Sequence, residues 1–150
     1  MSTFSKRGAI ALAVALLAAP VMDAQTGPAG DTSRFVGTWR LVSATQTGIM
    51  IYDSLGNMAA QVMPNRERRK YAGSEPTPAE AKDAITGYLA YFGTYSVDEQ
   101  ARIVTHHRKG NINPGQVGDD VVRNYVFESN DRLVLTPAGS TNKIVWERAR

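Results

Sequence analysis

The chain has 150 residues, 43% of them hydrophobic and 21% charged, which suits one packed domain and leaves little for a second. It contains no cysteine, which excludes a disulfide framework, thiolate metal ligands, a cysteine nucleophile and a lipidated cysteine. A formal net charge of +3 is too near balance for nucleic acid to be the main partner.

The chain opens MSTFSKRGAIALAVALLAAPVMDAQ. Lys6 and Arg7 precede an apolar run over residues 8–19, and Pro20 and the small Ala24 follow. That order is a secretory signal peptide over residues 1–24, cut after Ala24. The run of 12 residues falls short of the roughly 20 that a spanning helix needs. The expectation is therefore an exported protein, periplasmic or secreted, with no stable membrane insertion once the signal is gone. Cleavage would remove Lys6, Arg7 and Asp23, so 17 less two basic and 14 less one acidic residues leave 15 against 13. Residues 25–33, QTGPAGDTS, read as a flexible leader, and residues 34–150 as the folded domain.

From Arg34 the stretch FVGTWRLVSAT reads as a long strand, with Gly37 as a bulge. IMIYD and MAAQVM follow as two arms of a hairpin punctuated by Gly56-Asn57. Residues 64–76, with two prolines and the charged run Arg66-Glu67-Arg68-Arg69-Lys70, read as solvated loop rather than as an anion-binding patch. Thr77-Pro78-Ala79-Glu80 predicts a helix start: a capping threonine, proline at the first position and a glutamate that reaches back to the cap. Ala81, Ala84, Ile85, Tyr88, Leu89 and Phe92 then carry the spacing of one apolar helix face, with Gly87 placed where helix and sheet come close.

Beyond the helix the period changes to two. YFGTYSVD, ARIVTHHR, DVVRNYVFE, RLVLTP and NKIVWER are five further strands separated by short polar turns and by the longer NINPGQVGD loop. Many short strands with one helix predict an all-β, antiparallel barrel or sandwich, because parallel crossovers would need several helices.

The only two histidines, His106 and His107, are neighbours on a strand, so they point to opposite faces and cannot form a two-histidine metal site by themselves. The inward one, with His106 favoured, is either a hydrogen-bonded structural residue or a general acid or base; metal binding would need ligands from other strands. The tyrosines combine an apolar ring with one polar group, which suits a cavity for a mostly hydrophobic molecule but equally suits core packing. Tyr88 and Phe92 read as core. Arg123 shares a strand face with Tyr125 and Phe127. If that face is inward, the arginine binds an acidic or enolate-like ligand group; otherwise it is a rim residue paired with Asp119, Asp120 or Glu128. No Gly-rich phosphate loop, Gly-x-Ser-x-Gly or His-Glu-x-x-His occurs.

Several blocks together resemble a known family. Phe35-Val36-Gly37-Thr38-Trp39-Arg40-Leu41 at the start and Ile144-Val145-Trp146-Glu147-Arg148 at the end resemble the calycin pattern. In those barrels a Gly-x-Trp closes one end and a basic side chain lies across the indole; the counterparts are Gly37, Trp39 and Arg148. Ile51-Tyr52-Asp53, Gly56-Asn57-Met58-Ala59-Ala60-Gln61, Gly87-Tyr88-Leu89-Ala90-Tyr91-Phe92-Gly93-Thr94-Tyr95, Val104-Thr105-His106-His107 and Asp131-Arg132-Leu133 are similar to the lipocalin-like domain family over residues 34–148. The sequence departs from the family where Thr45-Gln46-Thr47-Gly48 replaces a longer Gly/Pro-rich link, a change expected to reach the first hairpin or one lip of the barrel.

The resemblance implies a lipocalin-like barrel of about eight strands, with the helix between the third and fourth. It also implies a small hydrophobic ligand in the interior, with Tyr52, Gln61, Tyr91, Tyr95, His106, Arg123 and Tyr125 as ligand-binding candidates. No cofactor or metal is expected, and the assembly is a monomer or homodimer. Two other readings stand beside binding: an isomerase or cyclase that uses His106 and Arg123, and a structural or interaction domain whose barrel is filled.

Overall fold

The computed structural model describes residues 30–150. The signal-peptide reading and residues 25–29 of the leader lie outside them. A short helix, α1 (Asp31–Phe35), leads into β1 (Gly37–Val42), β2 (Gln46–Tyr52) and β3 (Asn57–Pro64). Helix α2 (Pro78–Ile85) follows, and then β4 (Leu89–Asp98), β5 (Ile103–Asn111), β6 (Asp120–Ser129), β7 (Arg132–Pro137) and β8 (Ile144–Arg148). Each strand pairs antiparallel with the next, and β8 pairs back onto β1, so the eight strands form a closed barrel.

Closure follows from alternation. Trp39 and Leu41 of β1, Met50 and Tyr52 of β2, and Met58, Ala60 and Val62 of β3 turn inward, while the residues between them face out. The same rule carries Leu89, Tyr91 and Tyr95 on β4, Val104 and His106 on β5, and Arg123, Tyr125 and Phe127 on β6. The short first link leaves the hairpin whole: β1 and β2 pair from Gly37 opposite Tyr52 to Arg40 opposite Ile49. β2 begins at Gln46, ahead of the expected IMIYD.

Around the two helices the structure corrects the sequence reading twice. Phe35 is the end of α1 rather than part of the first strand, and Asp31, Thr32 and Ser33 of the expected leader are helical. Glu99 holds that helix by accepting from the Thr32 N–H and hydroxyl, each at 2.8 Å. The second correction concerns α2. Its capping box forms as expected, with Glu80 accepting from the Thr77 N–H and Thr77 Oγ1 accepting from the Glu80 N–H. However, it stops at Ile85 because Gly87 adopts φ +76, the left-handed terminator of a helix rather than a site of close helix packing. Tyr88 precedes β4, and Leu89 and Phe92 belong to that strand. Phe92 therefore points outward and is 59% exposed.

No residue of α2 is buried. It is held through its last carbonyls instead, which accept from Arg66 (to Asp83 O at 2.6 Å) and Arg68 (to Ala84 O at 2.5 Å) of the charged loop.

Candidate ligand-binding site

The barrel has one filled end and one open end. At the filled end α1 inserts Phe35, which is fully buried with ring centroids 5.0 Å from both Tyr125 and Phe127 and 5.3 Å from Tyr52. Trp39 lies beside it and donates its indole N–H to Phe35 O at 2.8 Å. The Arg148 guanidinium covers the indole at 4.3 Å and donates to Val36 O (2.9 Å) and Arg34 O (2.8 Å). Gly37 is required there, because a Cβ would sit 2.6 Å from Arg148 Nη1 and the backbone has φ +134. Asp31 completes the seal, pairing with Arg34 and Arg102 and accepting from the Tyr125 hydroxyl at 3.1 Å. Burial, with that carboxylate alongside, pushes the Tyr125 phenol up to about 12.

A polar layer crosses the middle of the barrel. His106 is fully buried, with Nε2 2.6 Å from Tyr52 Oη, and Nδ1 2.8 Å from Tyr91 Oη and 3.2 Å from Arg123 Nη1. A guanidinium has only donors, so Nδ1 is the unprotonated nitrogen; its single lone pair is shared between the Tyr91 and Arg123 donors, and Nε2–H donates to Tyr52. Burial first, then the charge of Arg123, holds the imidazole well below its usual range, so it is neutral at physiological pH. Burial likewise raises the phenols of Tyr52 and Tyr91. Arg123 is thus a charge surrounded by neutral partners.

His107, on the opposite face, is half-exposed and hydrogen-bonded to Asp120 (2.7 Å) and Ser96 (3.0 Å). The neutral, buried His106 has a measurable consequence. The unfolded chain binds a proton near pH 6.5 that the folded chain refuses, so the stability present above that pH is lost as pH falls toward the folded value. Chemical denaturation should show a loss of up to about 1.4 kcal/mol per pH unit below pH 6.5. Hydrogen bonds hold the carboxyls of Asp53, Glu80 and Glu99 below their ordinary range. His106→Gln should flatten this slope, and a wild-type stability unchanged between pH 7 and pH 5 would contradict the assignment.

Above the polar layer the barrel is hollow. A cavity of about 240 Å³ lies between apolar side chains, among them Leu41, Met50, Val62, Leu89 and Ile144, with Arg123, Tyr91 and Gln46 supplying polar groups. Trp146 forms part of the same wall; it is 4% exposed, and its indole N–H has no acceptor among the described residues. A larger concavity of about 720 Å³ lies outside the barrel along β1 and β8, where Arg132 pairs with Glu147, and Arg148 and Arg150 with Asp131. Its charges are largely matched, and it is open to solvent.

Of the residues singled out from sequence, the cavity wall includes Tyr91 and Arg123. Tyr52, Tyr95 and Tyr125 pack in the filled half, and His106 stands behind Tyr91 and Arg123, outside the cavity wall. Gln61 points out of the barrel, where it accepts from the Tyr88 hydroxyl at 3.2 Å. The acidic partners considered for Arg123 are engaged elsewhere: Asp119 with Arg108, Asp120 with His107 and Glu128 with Arg132. Sequence reasoning missed Leu41, Gln46, Val62, Leu89, Ile144 and Trp146. The available signal was positional, since each is an inward residue in the half of its strand farthest from α1, or in the case of Trp146 at the middle of β8.

The model of a family described as a lipocalin-like domain matches residues 44–149. A comparison with curated proteins finds no match. Strand β1, with Trp39, precedes the matched stretch and supplies the strand that closes the barrel.

Proposed function

This chain belongs to the lipocalin-like domain family, and we propose that it is an exported protein that takes up a small, mostly apolar molecule in the open half of its barrel. The observation that carries the reading is the contrast between the two halves. One is packed with aromatic rings beneath α1, and the other leaves about 240 Å³ among apolar walls with a few polar groups. Pockets for drug-sized ligands begin near roughly 300 Å³ and a cavity of about 150 Å³ admits benzene, so the occupant is a single ring or a short chain. Export rests on the order of charges and apolar residues over residues 1–24, and N-terminal sequencing of the mature protein tests it: Gln25 first supports it, an intact leader opposes it.

Calorimetric titration with 1-octanol tests uptake. Ala60 is buried in the cavity wall, and Ala60→Phe fills the space at a packing cost of about 1–3 kcal/mol. Binding to the wild type and its loss in a folded Ala60→Phe variant are expected. Equal heats from the two proteins would place any binding elsewhere.

A further inference from the structure

Arginine keeps its charge at any pH a protein meets, and inside a barrel that charge needs a partner. Among the described residues, Arg34, Arg108, Arg132 and Arg148 are all partly buried and all meet a carboxylate. Arg40, Arg68 and Arg69 meet none but are exposed to water. Arg123 is the exception: it is partly buried, faces the cavity, and no carboxylate lies within ion-pair distance. Its neighbours are His106 Nδ1 at 3.2 Å and the Tyr91 phenol, both uncharged. The cavity wall contains no acidic residue. The wall therefore has a positive charge and spare donors, and lacks the acceptor that would satisfy them.

We propose that the ligand of this cavity carries a carboxylate, bound by the Arg123 guanidinium while its apolar body lies among Leu41, Val62, Leu89 and Ile144. This rests on the cavity-binding reading above and deepens it. A carboxylate matches the two parallel N–H groups of a guanidinium and brings one charge to meet one charge. A phosphate would bring more charge and more oxygens than a single arginine in an apolar wall can satisfy. The Tyr52–His106–Tyr91 layer is the floor that positions the arginine, since Nδ1 anchors one of its amino groups and leaves the others for the ligand.

Titrations with octanoate and with 1-octanol at pH 7.5, on the wild type, Arg123→Gln and Arg123→Lys, separate the possibilities. The wild type should prefer the acid by about tenfold or more. Arg123→Gln should abolish the preference, so that octanoate and 1-octanol bind the variant with similar affinity, and Arg123→Lys should restore part of it. If 1-octanol binds the wild type as tightly as octanoate, the carboxylate proposal fails while the cavity reading stands. That comparison needs no variant to fold. If neither compound binds, both readings fall. A preference for octanoate that persists in Arg123→Gln would also overturn the proposal.

Discussion

Phe35→Ala should lower the stability of the barrel by about 3–5 kcal/mol, the cost of truncating a fully buried aromatic side chain. The ring fills the centre of the filled end, touching Tyr52, Tyr95, Tyr125 and Phe127, and no other side chain of α1 is buried. Without it α1 loses its anchor, and Trp39 loses the fixed carbonyl that accepts its indole N–H. Phe35→Leu keeps much of the volume and should cost far less. Urea denaturation of both variants measures the difference. A change below about 1 kcal/mol for Phe35→Ala would show that α1 is not the structural cover described above.

Gly93→Ala should destabilise the fold by about 3 kcal/mol or more, through a different mechanism. β4 and β5 shift register between Phe92 and Gly93, so Phe92 faces Gly110 and Gly93 faces Arg108. A Cβ on Gly93 would lie 1.9 Å from His107 O and 3.0 Å from Lys109 N, and both obstacles are backbone atoms of β5. Relief requires separating two paired strands, one of which carries His106. Gly115→Ala is the control, because its nearest neighbour would be the Asn113 side chain at an ordinary 3.5 Å. Thermal unfolding should show a large loss for Gly93→Ala and little change for Gly115→Ala; similar small changes in both would contradict the close approach.

The strands were legible because each inward face is marked by alternation, as in Val104 and His106 against Ile103 and His107. The start of α2 was legible because Thr77, Pro78 and Glu80 act locally. Its end was misread because Tyr88, Leu89 and Phe92 continue a helical spacing by coincidence, while Gly87 already carried the stop signal. Phe35 was misassigned for a related reason. An apolar residue before Gly-x-Trp fits a strand, and only the closed barrel reveals the hole that it plugs.

The candidate site was less legible than the fold. Alternation tells whether a side chain points inward, and it placed Tyr52, Tyr91, Tyr95 and Tyr125 together without separating the two ends of the barrel. Distance along the barrel axis decides which of them meets a ligand, and that depends on the stagger between strands and on the position of α1. Gln61 was misplaced for want of register: its neighbours Ala60 and Val62 occupy the inward positions of β3. The isolation of Arg123 became visible only when Asp119, Asp120 and Glu128 were found with other partners.

The most direct measurement is an NMR titration of the wild-type protein with octanoate, following methyl groups and the two tryptophan indole signals. Uptake in the open half predicts shifts at the methyls of Leu41, Val62, Leu89 and Ile144 and at the Trp146 indole. The Trp39 indole, bonded to Phe35 O beneath Arg148, should stay in place. Shifts confined to the outer groove along β1 and β8, or no shifts at all, would contradict the account.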